Sequence, residues 1–146
     1  AADSQSSSQI GDISRFKGVN LITPTEREAR ISSRNHEDGL VVLAEQLKKL
    51  SSTDYIFLKM GEEGMLIYSG NTNGNELLTD SISALNTSPR DVAGAGDSLL
   101  ISGALTMTAG GSIWEAALIG SLAAAIQVGR VGNTSLKSEE LLKELT

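Results

Sequence analysis

The sequence predicts an α/β fold in which at least part of the sheet is parallel. Three observations carry this. Apolar runs of strand length alternate with segments whose apolar residues recur at helical spacing. The first strand candidate leads straight into a helix start, the opening of a crossover unit. After the last strand candidate the chain reads as three helices in succession.

Residues 1–18 are polar and rich in Ser and Gln, and read as a loop or tether. "VNLIT" at 19–23 is a buried strand that ends on Thr23. In "TPTEREAR", Thr23 suits an N-cap, Pro24 the first helical position and Glu26 the third, which completes a capping box. Over 37–50, Leu40, Leu43, Ala44, Leu47 and Leu50 share one helical face, and Lys48 and Lys49 suit its C-terminal dipole. "YIFLKM" at 55–60 and "MLIYS" at 65–69 are strands joined by the turn "GEEG", Gly61 to Gly64. Residues 70–75 form a loop, 76–85 one or two short strands, and 86–91 an irregular stretch. One helix spans 95–109 and closes on Gly110 and Gly111. Ser112 and Glu115 open a second as a capping box, and Trp114 near its start is expected in the core. Ser138 caps a short final helix.

The 146 residues suffice for one domain with a real core. Aromatics are 3 % of the chain, so Leu, Ile, Val and Ala must fill that core. The net charge is −6 and the basic residues form no stripe, which argues against general nucleic-acid binding. The absence of cysteine excludes disulfides, thiolate metal sites and cysteine nucleophiles, and suits a reducing cytoplasm. No apolar run approaches the roughly 20 residues of a membrane helix, so no membrane partner is expected. His36 lies in a polar stretch and reads as a solvated loop residue. Ser98 continues a helix and lacks a histidine nearby in sequence that would make it a nucleophile.

The stretch "DVAGAGDS", Asp91 to Ser98, carries the clearest chemistry. Glycines before a helix admit positive φ and close approach of the backbone. The first amides of a helix are unpaired and sit at its positive end, so they suit an anion such as phosphate. Gly94, Ala95, Gly96 and Asp97 supply those donors. A carboxylate there opposes simple phosphate binding, and it makes sense where a hydroxyl must lose its proton beside the phosphate. Two readings of Asp97 follow from these residues: a catalytic base, or a helix cap beside a glycine turn. Arg90 is expected to pair with Asp91.

The same residues resemble the second signature of the ribokinase-like (PfkB) sugar kinases, D-T-x-G-A-G-D, with Val92 where Thr or Ser is usual. The resemblance implies that Asp97 is the base and Gly94–Asp97 the anion hole. "TPTEREA" is similar to the family's T-P-N-x-x-E segment, which helps to place magnesium; Glu28 holds its acidic position and Thr25 replaces Asn. "LKMGEEGMLIY" is similar to the strand–turn–strand near the nucleotide, with Gly61 and Gly64 matching and Lys59 in place of Thr or Ser. A cation at Lys59 could reach a nucleotide phosphate. The segment at 123–136 is similar to the last helix and adenine-side loop, which makes Gly132 and Asn133 nucleotide neighbours. Asp91 and the Ala93 carbonyl fall where family members bind a monovalent cation such as K+.

The resemblance therefore implies a partial three-layer fold, a mostly parallel sheet flanked by helices and lacking its N-terminal half. Residues 19–146 form the C-terminal nucleotide-binding part. It implies ATP and Mg2+ as cofactors and a small-molecule sugar or sugar phosphate as acceptor. "ADSQ", "TPTEREAR" and "RVGN" look closest to the heptose-phosphate kinase branch. The exposed sheet edge and apolar face call for a cover, either a homodimer partner or an N-terminal half of the same fold. Two alternatives stand beside the sugar kinase: a non-catalytic nucleotide-binding or assembly module that needs a separate N-terminal half, and a kinase of vitamin precursors with the same glycine turn.

Overall fold

The computed structural model describes residues 1–4, 11–71 and 77–146. Of the loop expected at 70–75, residues 72–75 lie outside the described residues. The chain forms two compact units, Ala1–Ser81 and Ile82–Thr146.

In the first unit a 3-10 turn at Ile13–Arg15 precedes β1 (Leu21–Ile22), α1 (Glu26–Ser33), α2 (Leu40–Ser51) and β2 (Tyr55–Lys59). A second 3-10 turn at Gly61–Glu63 leads to β3 (Met65–Asn71), followed by β4 (Leu77–Ile82). The strands lie in the order β1-β2-β3-β4. β1 pairs parallel with β2, Leu21 opposite Tyr55 and Ile22 opposite Ile56. Two helices fill the connection between them, as a parallel crossover requires. β2 pairs antiparallel with β3 from Ile56–Tyr68 to Lys59–Met65. Its connection is a tight turn in which Met60 N–H donates to Gly64 O at 2.9 Å, too short for a crossover. The sheet of this chain is therefore mixed, where a mostly parallel one was expected.

The segment expected as a polar tether is anchored at two points. Ala2 N–H donates to Leu21 O and Thr23 N–H to Ala2 O, which sets residue 2 parallel beside Ile22. Ile13 is wholly buried in the core with Ile22, Leu43, Leu47, Ile56, Leu58 and Tyr68. Burial of one isoleucine is worth roughly 1.5–3 kcal/mol, which anchors the chain at Ile13; residues 5–10 of the expected tether lie outside the described residues. Leu50, expected on the buried face of α2, is 42 % exposed because the stripe ends at Leu47 and Ser51.

The second unit holds α3 (Ala95–Thr108), α4 (Ile113–Val128) and α5 (Ser138–Leu145). Ala116, Gly120, Ala123 and Gln127 form a buried stripe of mostly small residues along α4. It packs tightly against α3 at Gly120, where a Cβ would lie 3.0 Å from Leu99 O. The expected capping box is present: Ser112 Oγ accepts from Glu115 N–H, and Glu115 Oε2 accepts from Ser112 N–H at 2.7 Å. Trp114 is not in the core. It is 37 % exposed, because it lies off the stripe begun by Ile113, Ala116 and Ala117. The cap of α5 is Lys137, one residue before the expected Ser138, and Glu140 Oε2 accepts from its N–H. Ile101 and Leu105 on α3 and Leu118 on α4 are exposed.

Candidate functional site

The second unit places the 91–97 stretch at the start of α3. Ala95 N–H closes a turn onto Val92 O at 3.3 Å, and Gly94 caps the helix with φ 77° and ψ 0°. Those angles suit the third position of a type II turn, which demands glycine. Ser98 N–H donates to Gly94 O, the first regular helical bond. Of the four expected donors, Ala95 is thus partly spent in the turn. Gly96 and Asp97 are first-turn amides, which have no intrahelical partner. Asp97 is exposed on that first turn. The cap residue, Gly94, has no side chain to cap the helix.

Asp91 ties this turn to the loop after α4. Its Oδ1 accepts from Ala93 N–H at 3.0 Å and its Oδ2 from Gly132 N–H at 3.0 Å. These two amides hold the Asp91 carboxyl below its ordinary value of 3.8. The expected Arg90–Asp91 pair is not made: among the described residues both Asp91 oxygens are engaged by amides, and Arg90 is exposed. The Ala93 carbonyl accepts from Gln127 Nε2 at 3.2 Å. Both expected cation ligands thus already have protein donors. Gly94 and Asn133 also meet here, since a Cβ at Gly94 would lie 2.7 Å from Asn133 Cγ. Asp91, Ala93, Gly94, Gly132 and Asn133 are one cluster.

Gln127 and Arg130 complete that cluster, and sequence reasoning passed over both. Gln127 is 1 % exposed. The visible signal was an amide at the end of the apolar run "AALIGSLAAAI". A buried amide must find partners for all its hydrogen-bonding groups, and here they lie in two loops.

The first unit holds the remaining candidates. Thr25, not Thr23, caps α1: its Oγ1 accepts from Glu28 N–H, and Glu28 Oε2 accepts from Thr25 N–H at 2.7 Å and Thr25 Oγ1 at 2.9 Å. Glu28 is 4 % exposed, and the capping box is one engagement of its carboxylate. Lys59, at the end of β2, pairs with Asp3 at 2.8 Å in a largely buried contact. Burial raises the Asp3 carboxyl above its ordinary value, and Lys59 opposes that shift without cancelling it. Gly61 and Gly64 take φ 62° and 99° in the turn beyond Lys59. Among the described residues no three acidic or histidine side chains gather as a metal site. No helix among them is long and apolar enough to cross a membrane.

The pfkB family carbohydrate kinase profile matches residues 2–140. The chain belongs to the PfkB family of carbohydrate kinases. Its family relatives include bifunctional protein HldE of Shewanella baltica, 32 % identical over 136 residues. That match covers 92 % of this chain and 28 % of the relative. Bifunctional protein HldE of Geotalea uraniireducens is 29 % identical over 137 residues, covering 92 % of this chain and 27 % of its own length. The chain thus spans little more than a quarter of these curated PfkB relatives. Ribokinase of Thermotoga maritima superposes with a TM-score of 0.74 at 26 % identity, over 89 % of this chain and 43 % of that one. The fold is ribokinase-like α/β.

Proposed function

We propose that the protein transfers the terminal phosphoryl group of ATP to a hydroxyl of a sugar or sugar phosphate. The observation that carries this is the Gly94 turn, which opens α3 in a left-handed conformation and leaves the Asp97 carboxylate exposed one turn in. Amides at Gly96 and Asp97 face outward at the positive end of a 14-residue helix and suit the charge on the transferring group. Asp97 takes the hydroxyl proton as the sugar oxygen bonds to the γ-phosphorus. The bond from that phosphorus to the bridging oxygen breaks, and ADP leaves with the electron pair. Position and electrostatics supply most of the acceleration in such a transfer.

Gly132 and Asn133 serve as nucleotide neighbours through their loop. Magnesium, when bound, neutralises charge on the phosphates. The described residues form no cage for that ion. Glu28 already fixes the start of α1, so no part of the reaction is assigned to it. Within the acceptor class, "ADSQ", "TPTEREAR" and "RVGN" favour a heptose phosphate.

The test is ATP-dependent transfer by the whole protein to a panel of sugars and sugar phosphates, with Asp97→Asn and Gly96→Val alongside. Asp97→Asn should lose transfer by roughly 100-fold or more and still bind ATP. Gly96→Val should weaken ATP binding. Equal loss of ATP binding in both variants would count against the base role and favour a non-catalytic nucleotide module.

A further inference from the structure

Gln127 is a buried residue of α4 whose side chain makes no use of its own helix. Its Nε2 carries two hydrogens, and two carbonyls receive them: Ala93 O at 3.2 Å and Gly132 O at 3.2 Å. Asn133 Oδ1 lies at 3.5 Å from the same nitrogen. Its Oε1 has two lone pairs, and Arg130 fills both, Nε at 3.1 Å and Nη2 at 2.9 Å. Arg130 is steadied in turn by Glu140, Nη1 to Oε1 at 3.1 Å. The amide cannot flip, since that would set its oxygen against two carbonyls and its NH2 against a guanidinium.

Asp91 grips the same two residues from the other side. It accepts from the N–H groups of Ala93 and Gly132, whose carbonyls Gln127 holds. Ala93 and Gly132 therefore have both main-chain groups fixed by one pair of side chains. Ala93 immediately precedes Gly94, whose positive φ starts α3. Gly132 immediately precedes Asn133.

We propose that Gln127, oriented by Arg130, is a positioning residue that locks the glycine turn before Asp97 to the loop bearing Asn133, so that phosphate-binding amides and nucleotide-side loop are set together. This rests on the kinase reading above. Gln127 touches no reacting atom and acts only through Ala93 and Gly132.

The test uses the whole protein with Gln127→Glu, Gln127→Met and Arg130→Met. Gln127→Glu keeps the bond to Arg130 and turns an acceptor toward both carbonyls. Gln127→Met removes every bond at similar size. Two readouts are taken. Hydrogen exchange should speed up at the Ala93 and Gly132 amides together, although both donate to Asp91 and neither to Gln127. kcat/KM for ATP should fall by roughly tenfold or more, with the KM for the sugar unchanged. Arg130→Met leaves Gln127 in place and should move both readouts the same way by less. It decides the matter if the Gln127 variants do not fold. Faster exchange at one loop only, or coupled exchange with wild-type kinetic constants, overturns the inference. Asp97→Asn separates the two readings. If that variant is as active as the wild type, the base assignment fails. If it is inactive while the Gln127 variants have wild-type constants, this inference alone fails.

Discussion

The Asn133 carboxamide occupies the space that a side chain at Gly94 would need: a Cβ there would lie 2.7 Å from Asn133 Cγ. Gly94 also has φ 77°, which an L-residue adopts at a cost of about 1–2 kcal/mol. Gly94→Ala therefore meets two separable penalties. Asn133 is exposed and, among the described residues, held only by a long contact to Gln127 Nε2 at 3.5 Å, so it can swing away and the backbone penalty should dominate. Urea unfolding should show Gly94→Ala destabilised by about 1–2 kcal/mol. Adding Asn133→Ala should recover only a small part. Full recovery in the double variant would mean that crowding, not the left-handed backbone, demands glycine at this position.

The link between Asp91 and Gly132 depends on pH with a definite sign. Two amides hold the folded carboxyl below its ordinary value of 3.8. Its stabilising contribution is complete above that unfolded value and is lost as pH falls through the lower folded one. The Gly132 amide resonance should therefore stay constant through neutral and mildly acid pH and shift only below about 4. Asp91→Asn should abolish the shift, since a carboxamide does not titrate in this range. A Gly132 transition near neutral pH would show that another group controls the loop.

These two loops also mark where the sequence stops being legible. The glycine turn, the helix after it and the Ser112–Glu115 box were readable because each is a contact among residues four or fewer apart. Gln127's tie to the glycine turn was not, because the partner that makes it, Ala93, is 34 residues away. Trp114 was misplaced because an apolar residue early in an apolar helix gives no phase. The phase came from the close-packed face of Gly120. The order of strands and helices was legible throughout, and the antiparallel β2–β3 pair was implicit in the short "GEEG" turn. The cap of α1 was ambiguous by its own pattern, since Thr23 with Glu26 and Thr25 with Glu28 both fit. Sheet pairing decided it. Pro24 O accepts from Lys59 N–H at 2.8 Å and Thr25 bridges to Lys59, so the chain is still extended at 24 and turns helical only after 25.

That choice predicts opposite signs for the same substitution two residues apart. Thr25 Oγ1 bonds with Glu28, and Thr25→Val should cost about 1 kcal/mol through loss of the cap. Thr23 is fully buried and its Oγ1 has no hydrogen-bond partner among the described residues. An unpaired buried hydroxyl costs about 1–3 kcal/mol, and a methyl of similar shape does not. Thr23→Val should leave stability unchanged or raise it by about 1 kcal/mol. Paired thermal unfolding of the two variants reads the difference. If Thr23→Val is the more destabilising, the cap has been assigned to the wrong threonine.

The Asp3–Lys59 pair leads to an asymmetry between single and double variants. The two side chains are 16 % and 18 % exposed and meet at 2.8 Å. Burial moves the Asp3 carboxyl upward more strongly than Lys59 moves it down, so the pair does not fully offset its own desolvation. Removing one partner strands the other charge in a poorly hydrated place. Asp3→Asn should therefore destabilise by about 2 kcal/mol, less than for a fully buried pair because both groups keep some water. Asp3→Asn combined with Lys59→Met removes both charges together and should lie within about 1 kcal/mol of the wild type. A double-mutant cycle in urea measures the coupling. If Lys59→Met alone is neutral, Lys59 is not held by Asp3, and its ammonium is available to a phosphate as the "LKMGEEG" resemblance implies.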